Sequence, residues 1–86
     1  MATVSNRALC ALGPIKMEVV YLTAVTSNDT FTTLIQRPIF ALASETGNAA
    51  ASTCQASVTV DTKTVTITDM TTSGANGKAA VAVFGF

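Results

Sequence analysis

Residues 57–68 read Ser57-Val58-Thr59-Val60-Asp61-Thr62-Lys63-Thr64-Val65-Thr66-Ile67-Thr68, and this stretch decides the fold class. Apolar and hydroxyl residues alternate with period two on both sides of Asp61-Thr62-Lys63-Thr64. That is the pattern of two half-buried strands joined by a polar turn. Pairing Val60 with Val65 sets Val58 opposite Ile67 on one face and Thr59 opposite Thr66 on the other. A loop of two or of four residues gives this same register. The second face is a stripe of Ser57, Thr59, Thr66 and Thr68, small and uncharged. It reads as a solvated face or a subunit contact; ice binding needs more repeats than one hairpin supplies.

Working outward, residues 71–77 are turn-rich, with Gly74 and Asn76-Gly77 as candidates for positive φ. The last strand is expected from Lys78 to the terminus. It sets Val81 and Val83 on one parity and Ala80, Ala82, Phe84 and Phe86 on the other, so both faces are apolar. Toward the N-terminus, residues 45–52 form a small-residue loop. Residues 31–43 read as two extended pieces joined at a kink, because Pro38 interrupts any helix and cannot donate to a sheet ladder. Pro38 therefore belongs to an edge or bulged strand. Ser27-Asn28-Asp29-Thr30 is a turn by residue type. Ile15-Lys16-Met17-Glu18-Val19 alternates apolar and charged residues and predicts a strand with one wet face. From Val19 to Leu22 both parities become apolar, and the second dry face, carrying Val20 and Leu22, must meet another layer or a neighbouring subunit. Gly13-Pro14 punctuates the chain, and residues 1–13 read as an irregular N-terminal arm.

Composition agrees with this order. The chain has 86 residues, of which 15 are Thr, 9 Val and 4 Ile. These stiff, β-branched side chains fit a pleated strand better than a helix. The expected fold is all-β: a small antiparallel β-sandwich or barrel of about five to six strands. The arm spans residues 1–13 and a single β domain spans residues 14–86.

Charge narrows the function classes. Charged residues are 12% of the chain, 5 basic against 5 acidic, against the usual quarter of a soluble protein. No basic cluster marks a nucleic-acid partner, and no apolar run is long enough to span a membrane as a helix. Histidine is absent, which removes Ser-His-Asp and Cys-His catalysis. The carboxylates Glu18, Asp29, Glu45, Asp61 and Asp69 are scattered singly, four of them in or beside turns. Gly74-Ala75-Asn76-Gly77-Lys78 lacks the leading Gly of a phosphate loop and enters a strand instead of a helix. Cys10 and Cys54 without His do not make a zinc site; buried free thiols are the expectation, a disulfide the alternative. No catalytic, cofactor or metal residues are expected. A neutral, charge-poor chain is instead expected to hide surface against something else.

The order of these features resembles small structural proteins of tailed-phage particles. The resemblance covers roughly residues 15–86. It rests on the strand of residues 15–25, the turn Asn28-Asp29-Thr30 and the extended segment after it. The Val/Thr hairpin of residues 57–68, the Gly-containing turn of residues 73–78, and the ending Val81-Ala82-Val83-Phe84-Gly85-Phe86 complete it. Such proteins are β-sandwich or barrel modules, many of them capsid decoration (cement) proteins or tail and neck components. The resemblance implies a non-enzymatic virion protein on the capsid surface, assembled in the host cytoplasm. Its partners would be copies of itself, as a trimer or dimer, and the major capsid protein. Expected contact residues are Val4, Leu9 and Leu12 in the arm, Val20 and Leu22 in the first strand, and Phe84 and Phe86 at the end; Val20, Leu22 and Phe84 have sandwich core as the alternative. A tail, neck or fibre component and a carbohydrate-binding or adhesin module are the competing readings. The latter lacks an aromatic platform, since there is no Trp and a single Tyr, Tyr21.

Overall fold

The computed structural model describes residues 2–46, 54–58, 62–70, 74 and 76–86. Within them lie seven strands and no helix: β1 (Thr3–Leu12), β2 (Ile15–Thr23), β3 (Thr30–Thr32), β4 (Pro38–Glu45), β5 (Gln55–Val58), β6 (Thr64–Thr68) and β7 (Lys78–Gly85). They form a four-stranded sheet, β1-β2-β7-β4, and a three-stranded sheet, β3-β6-β5, antiparallel throughout. The all-β class holds, as a small two-sheet sandwich.

The core lies between the sheets. Val20, Leu22, Ala79, Val81 and Val83 come from the larger sheet, and Phe31, Val65 and Ile67 from the smaller. Val25, Ile35 and Met70, on the connections, close the ends. Val20 and Leu22 are fully buried here, so their expected role as contact residues is corrected to core.

Three local expectations change. Residues 3–12, expected as an irregular arm, form a strand paired along its length with β2. Gly13-Pro14 is the hairpin loop between Leu12 and Ile15, with Gly13 at the positive φ (78°) that a two-residue hairpin loop asks of its first residue. The β5–β6 hairpin exists, but Val58 faces Val65 and Ala56 faces Ile67. Val65 therefore does not pair with Val60, and Thr66 lies opposite Ser57 instead of Thr59. The slip is two residues, which leaves every side chain on its expected face. On the other side of β6, Thr32 faces Thr64 and the Thr33 amide donates to the Lys63 carbonyl (2.9 Å). Thr59, Val60, Asp61 and most of the loops expected at residues 45–52 and 71–77 lie outside the described residues.

Other expectations stand. Pro38 begins β4, an edge strand whose register shifts between Pro38 and Phe40. Asn28 turns the chain at φ 76°, and the Asp29 carboxylate accepts from the Thr26 amide at 2.9 Å. The C-terminus is pinned by reciprocal amide–carbonyl bonds between Phe86 and Arg37 (3.0 and 3.1 Å).

Candidate functional site: an uncovered apolar sheet face

The outward face of the four-stranded sheet is built in rows fixed by register. One row runs Ala8–Val19–Ala82–Leu42 and the next Cys10–Met17–Phe84–Phe40. Toward the other end lies Asn6–Tyr21–Ala80–Ser44. These three rows hold no charged residue. Val19 is 42% exposed and Leu42 61% exposed. Phe40 and Phe84 stack with ring centroids 4.6 Å apart.

The face is corrugated. Val19 and Tyr21 on β2 form a ridge, and Leu42 and Phe40 on β4 form another. Between them the small side chains Ala80 and Ala82 floor a groove of about 240 Å³. A second groove of about 190 Å³ runs between β1 and β2, beside Ala8 and Val19. A dent of about 130 Å³ lies at the end of the sheet, lined by Ile15, Ile39, Phe40, Phe84, Gly85 and Phe86.

This arrangement inverts the expected strand. Ile15, Met17 and Val19 were the dry parity of a half-buried strand and Glu18 the wet one. In the fold Ile15 and Val19 point outward, while Glu18 is 0% exposed and sits in the row Leu9–Glu18–Val83–Ala41. Glu18 is held there by polar groups of the β3–β4 connection. The Thr33 hydroxyl donates to Glu18 Oε1 at 2.6 Å, and the Leu34 amide donates to the same oxygen at 3.0 Å. Arg7 Nε stands 3.5 Å from Glu18 Oε2, and Arg7 also donates to the Thr32 carbonyl at 3.1 Å. One buried carboxylate thus ties β1, β2 and the β3–β4 connection together. Burying a carboxylate is costly unless it is paired and hydrogen-bonded; here Oε1 accepts both hydrogen bonds, while Oε2 has the Arg7 ion pair and no hydrogen bond.

The opposite surface is different. Across the three-stranded sheet, Thr30 faces Thr66 and Thr66 faces Ser57; Thr32 faces Thr64, and Thr68 faces Gln55. This face is hydroxyl-rich and its side chains are exposed or half-buried.

The other expected contact residues fall as follows. Leu12 and Phe86 are about half exposed at one end of the dry face, where Leu12 faces Ile15 across the hairpin. Phe84 lies half-buried within the face. Val4 and Leu9 are exposed on the other side of β1, where the smaller sheet does not reach to cover them. The residues missed were Val19, Leu42 and Phe40. The available signal was the charge-free run of residues 39–44.

Both cysteines are free, and Cys10 is exposed, not buried. Burial, with the nearby Glu45 carboxylate, pushes the Cys54 thiol above its ordinary pKa. Among the described residues no group of three or more His, Cys, Asp or Glu side chains is placed to hold a metal ion. Among the described residues no helix is long and apolar enough to cross a membrane. Comparison with known protein families, with curated proteins and with solved structures finds no match.

Proposed function

We propose that this chain is a non-enzymatic structural protein of a phage particle, a capsid decoration protein that binds the outer shell at subunit junctions and stabilises it. The observation that carries the reading is the outward turn of Val19, Leu42 and Phe40 while Glu18 faces the core. A strand that buries its carboxylate and exposes its valine is built for a second surface.

Magnitudes favour a contact without ion pairs. A standard interface removes about 800 Å² per partner, roughly a sixth of this chain's 4741 Å². At about 25 cal/mol per Å², an all-apolar patch of that size returns about 20 kcal/mol. Lost translational and rotational freedom costs about 4–15 kcal/mol. Side-chain ordering and imperfectly paired polar groups reduce the surplus of one contact further, and repetition over a shell multiplies what is left. A sugar-binding reading fits less well. The aromatic dent of Ile15, Ile39, Phe40, Phe84, Gly85 and Phe86 carries no polar side chain, so a glycan's hydroxyls would be left unpaired.

The test is deletion of the coding sequence from its genome, followed by heating of purified particles. Particles without the chain are expected to release their genome at lower temperature, with added purified protein restoring the midpoint. Failure to find the chain on purified particles overturns the proposal.

A further inference from the structure

We propose that the free edge of β1 pairs with β1 of a second copy, antiparallel, about a two-fold axis passing beside Leu9. This deepens the assembly part of the reading above. Its test uses purified protein alone, so its failure is distinguishable from failure to bind a shell.

The two edges of the four-stranded sheet are treated differently. β4 is guarded: it starts at Pro38 and its register is broken by a bulge beside that residue. Those are devices that stop edge-to-edge pairing. β1 carries neither Pro nor Lys in its ten residues, and its own bulge, between Val4 and Asn6, leaves the strand regular beyond it. Its one charge, Arg7, is turned inward to Glu18 and to the Thr32 carbonyl. Among the described residues β1 pairs with β2 alone. One row of its backbone donors and acceptors therefore faces no other strand; in β1 the Arg7 amide donates to the Asn6 side-chain oxygen (2.9 Å) and the Ala11 carbonyl accepts from the Cys10 thiol (3.7 Å), contacts that a partner strand would displace.

An identical strand is the occupant this edge fits. Antiparallel pairing of two copies is generated by a two-fold axis perpendicular to the sheet, an isologous contact that closes at a dimer. Perpendicular placement also keeps the same face outward on both copies, so a residue must face one of its own parity. The bulge between Val4 and Asn6 ends the regular part of β1, leaving Asn6 to Leu12 in unbroken register. The midpoint of that stretch is Leu9, which is 53% exposed. Centring there sets Leu9 against its own copy, Ala8 against Cys10, Arg7 against Ala11, and Asn6 against Leu12. Centring on Arg7 would oppose two like charges, which is destabilising, and would run the pairing into the bulge. The dimer that results is one sheet of eight strands, about 38 Å across at about 4.8 Å per strand. Its charge-free outward face is twice that of one chain.

Sedimentation of the purified protein tests the state, and two variants test the register. The wild-type chain is expected to sediment as twice 8.8 kDa. Leu9→Lys sets two ammonium groups opposite each other and is expected to weaken the dimer at least tenfold, with Leu9→Val retaining it. Because Leu9 is exposed, circular dichroism should show both variants folded. The double variant Leu9→Cys/Cys10→Ser should form a disulfide-linked dimer on mild oxidation, since directly opposed Cα atoms lie about 4.5–5.5 Å apart, within disulfide reach. Cys10→Ser alone should not. A monomer at 100 µM overturns the proposal. So does a dimer that Leu9→Lys leaves intact, or a Leu9→Cys/Cys10→Ser chain that fails to cross-link, because the association would then use another surface.

Discussion

Each sheet of this sandwich turns one face to the core and one outward, and the two outward faces differ in chemistry. Across the three-stranded sheet the outward rows hold Thr30, Thr66 and Ser57, then Thr32 and Thr64, then Thr68 and Gln55. Across the four-stranded sheet they hold Ala8, Val19, Ala82 and Leu42, then Cys10, Met17, Phe84 and Phe40. Val and Thr share a branched shape and a preference for extended backbone, so propensity makes strands of both. They differ in what they leave for the outside. A threonine hydroxyl is satisfied by water, whereas Val19 and Leu42 gain only by leaving it. One face is satisfied by water when the chain folds, and the other leaves apolar side chains in contact with it.

Replacing Glu18 with Ala should break this contrast most severely, because Glu18 fixes which parity of β2 points inward. Its removal strands Arg7, the Thr33 hydroxyl and the Leu34 amide in a partly or wholly buried setting. Losing one partner of a buried pair costs about 3–5 kcal/mol, and the lower half of that range applies with Arg7 partly exposed. Thr66→Ala on the hydroxyl face should stay within about 0.5 kcal/mol. Urea unfolding measures both. A Glu18→Ala cost below about 1 kcal/mol would mean that the inversion of β2 is held by something else.

Gly85→Ala comes next. A Cβ at Gly85 would overlap the Arg37 carbonyl oxygen and stand 2.8 Å from Ile35 Cγ2 and from Pro38 Cα. Two of these three are backbone atoms held by the Phe86–Arg37 bonds, so neither gives way cheaply. Overpacking of this kind costs about 1–3 kcal/mol, and the upper end is expected in thermal unfolding. The end of β7 and the Phe40–Phe84 stack should loosen with it, so that the dry face is disturbed while the hydroxyl face is not. Unchanged stability would show that the 35–38 connection has room to move.

How far the sequence reveals this molecule depends on burial. The alternation at Val58, Val65 and Ile67 identifies both strands of the hairpin and their faces, because those faces are buried. It misses the register by two residues, since a period of two is blind to that slip and Asp61-Thr62-Lys63-Thr64 contains no Gly to pin the turn. β1 escapes notice for the opposite reason. Every residue of it except Arg7 is exposed, and a strand that buries neither face writes no alternating pattern. The inversion at residues 15–19 is misread because alternation gives two faces without saying which is inside. What decides it is Glu18 meeting Thr33 and Leu34, residues fifteen and sixteen positions away. Of the dry face, Phe84 and Phe86 were legible from the doubly apolar last strand. Val19 was hidden by the assumption that apolar means core.

Leu42→Asp sharpens the comparison with little effect on the fold. Leu42 is 61% exposed and sits on an edge strand, so stability should change by less than about 0.5 kcal/mol. A carboxylate in the middle of a charge-free contact would have to be desolvated without a partner. Particle binding is therefore expected to fall at least tenfold in a co-sedimentation titration. A matched change on the other face, Ser57→Asp, should leave it unchanged. Equal losses from both would mean that the particle is held by the hydroxyl face as well.

The smallest effect is read at the two thiols, which serve as reporters of the two sides. Cys10 is exposed and shares the outward face with Met17, whereas Cys54 is half-buried and packs against the core beside β5. The thiolate is the nucleophile. Burial and the Glu45 charge both disfavour the Cys54 thiolate, so at pH 8 most of it stays protonated. Its alkylation should be slower than that of an ordinary exposed thiol and should keep accelerating as pH rises through the alkaline range. Cys10 should alkylate first. Adding particles should slow Cys10 by covering its face and leave the Cys54 rate where it was. Mass spectrometry of chains quenched at short times separates the two sites. If both thiols slow together, the partner covers more than the dry face; if neither slows, that face stays open when the protein assembles.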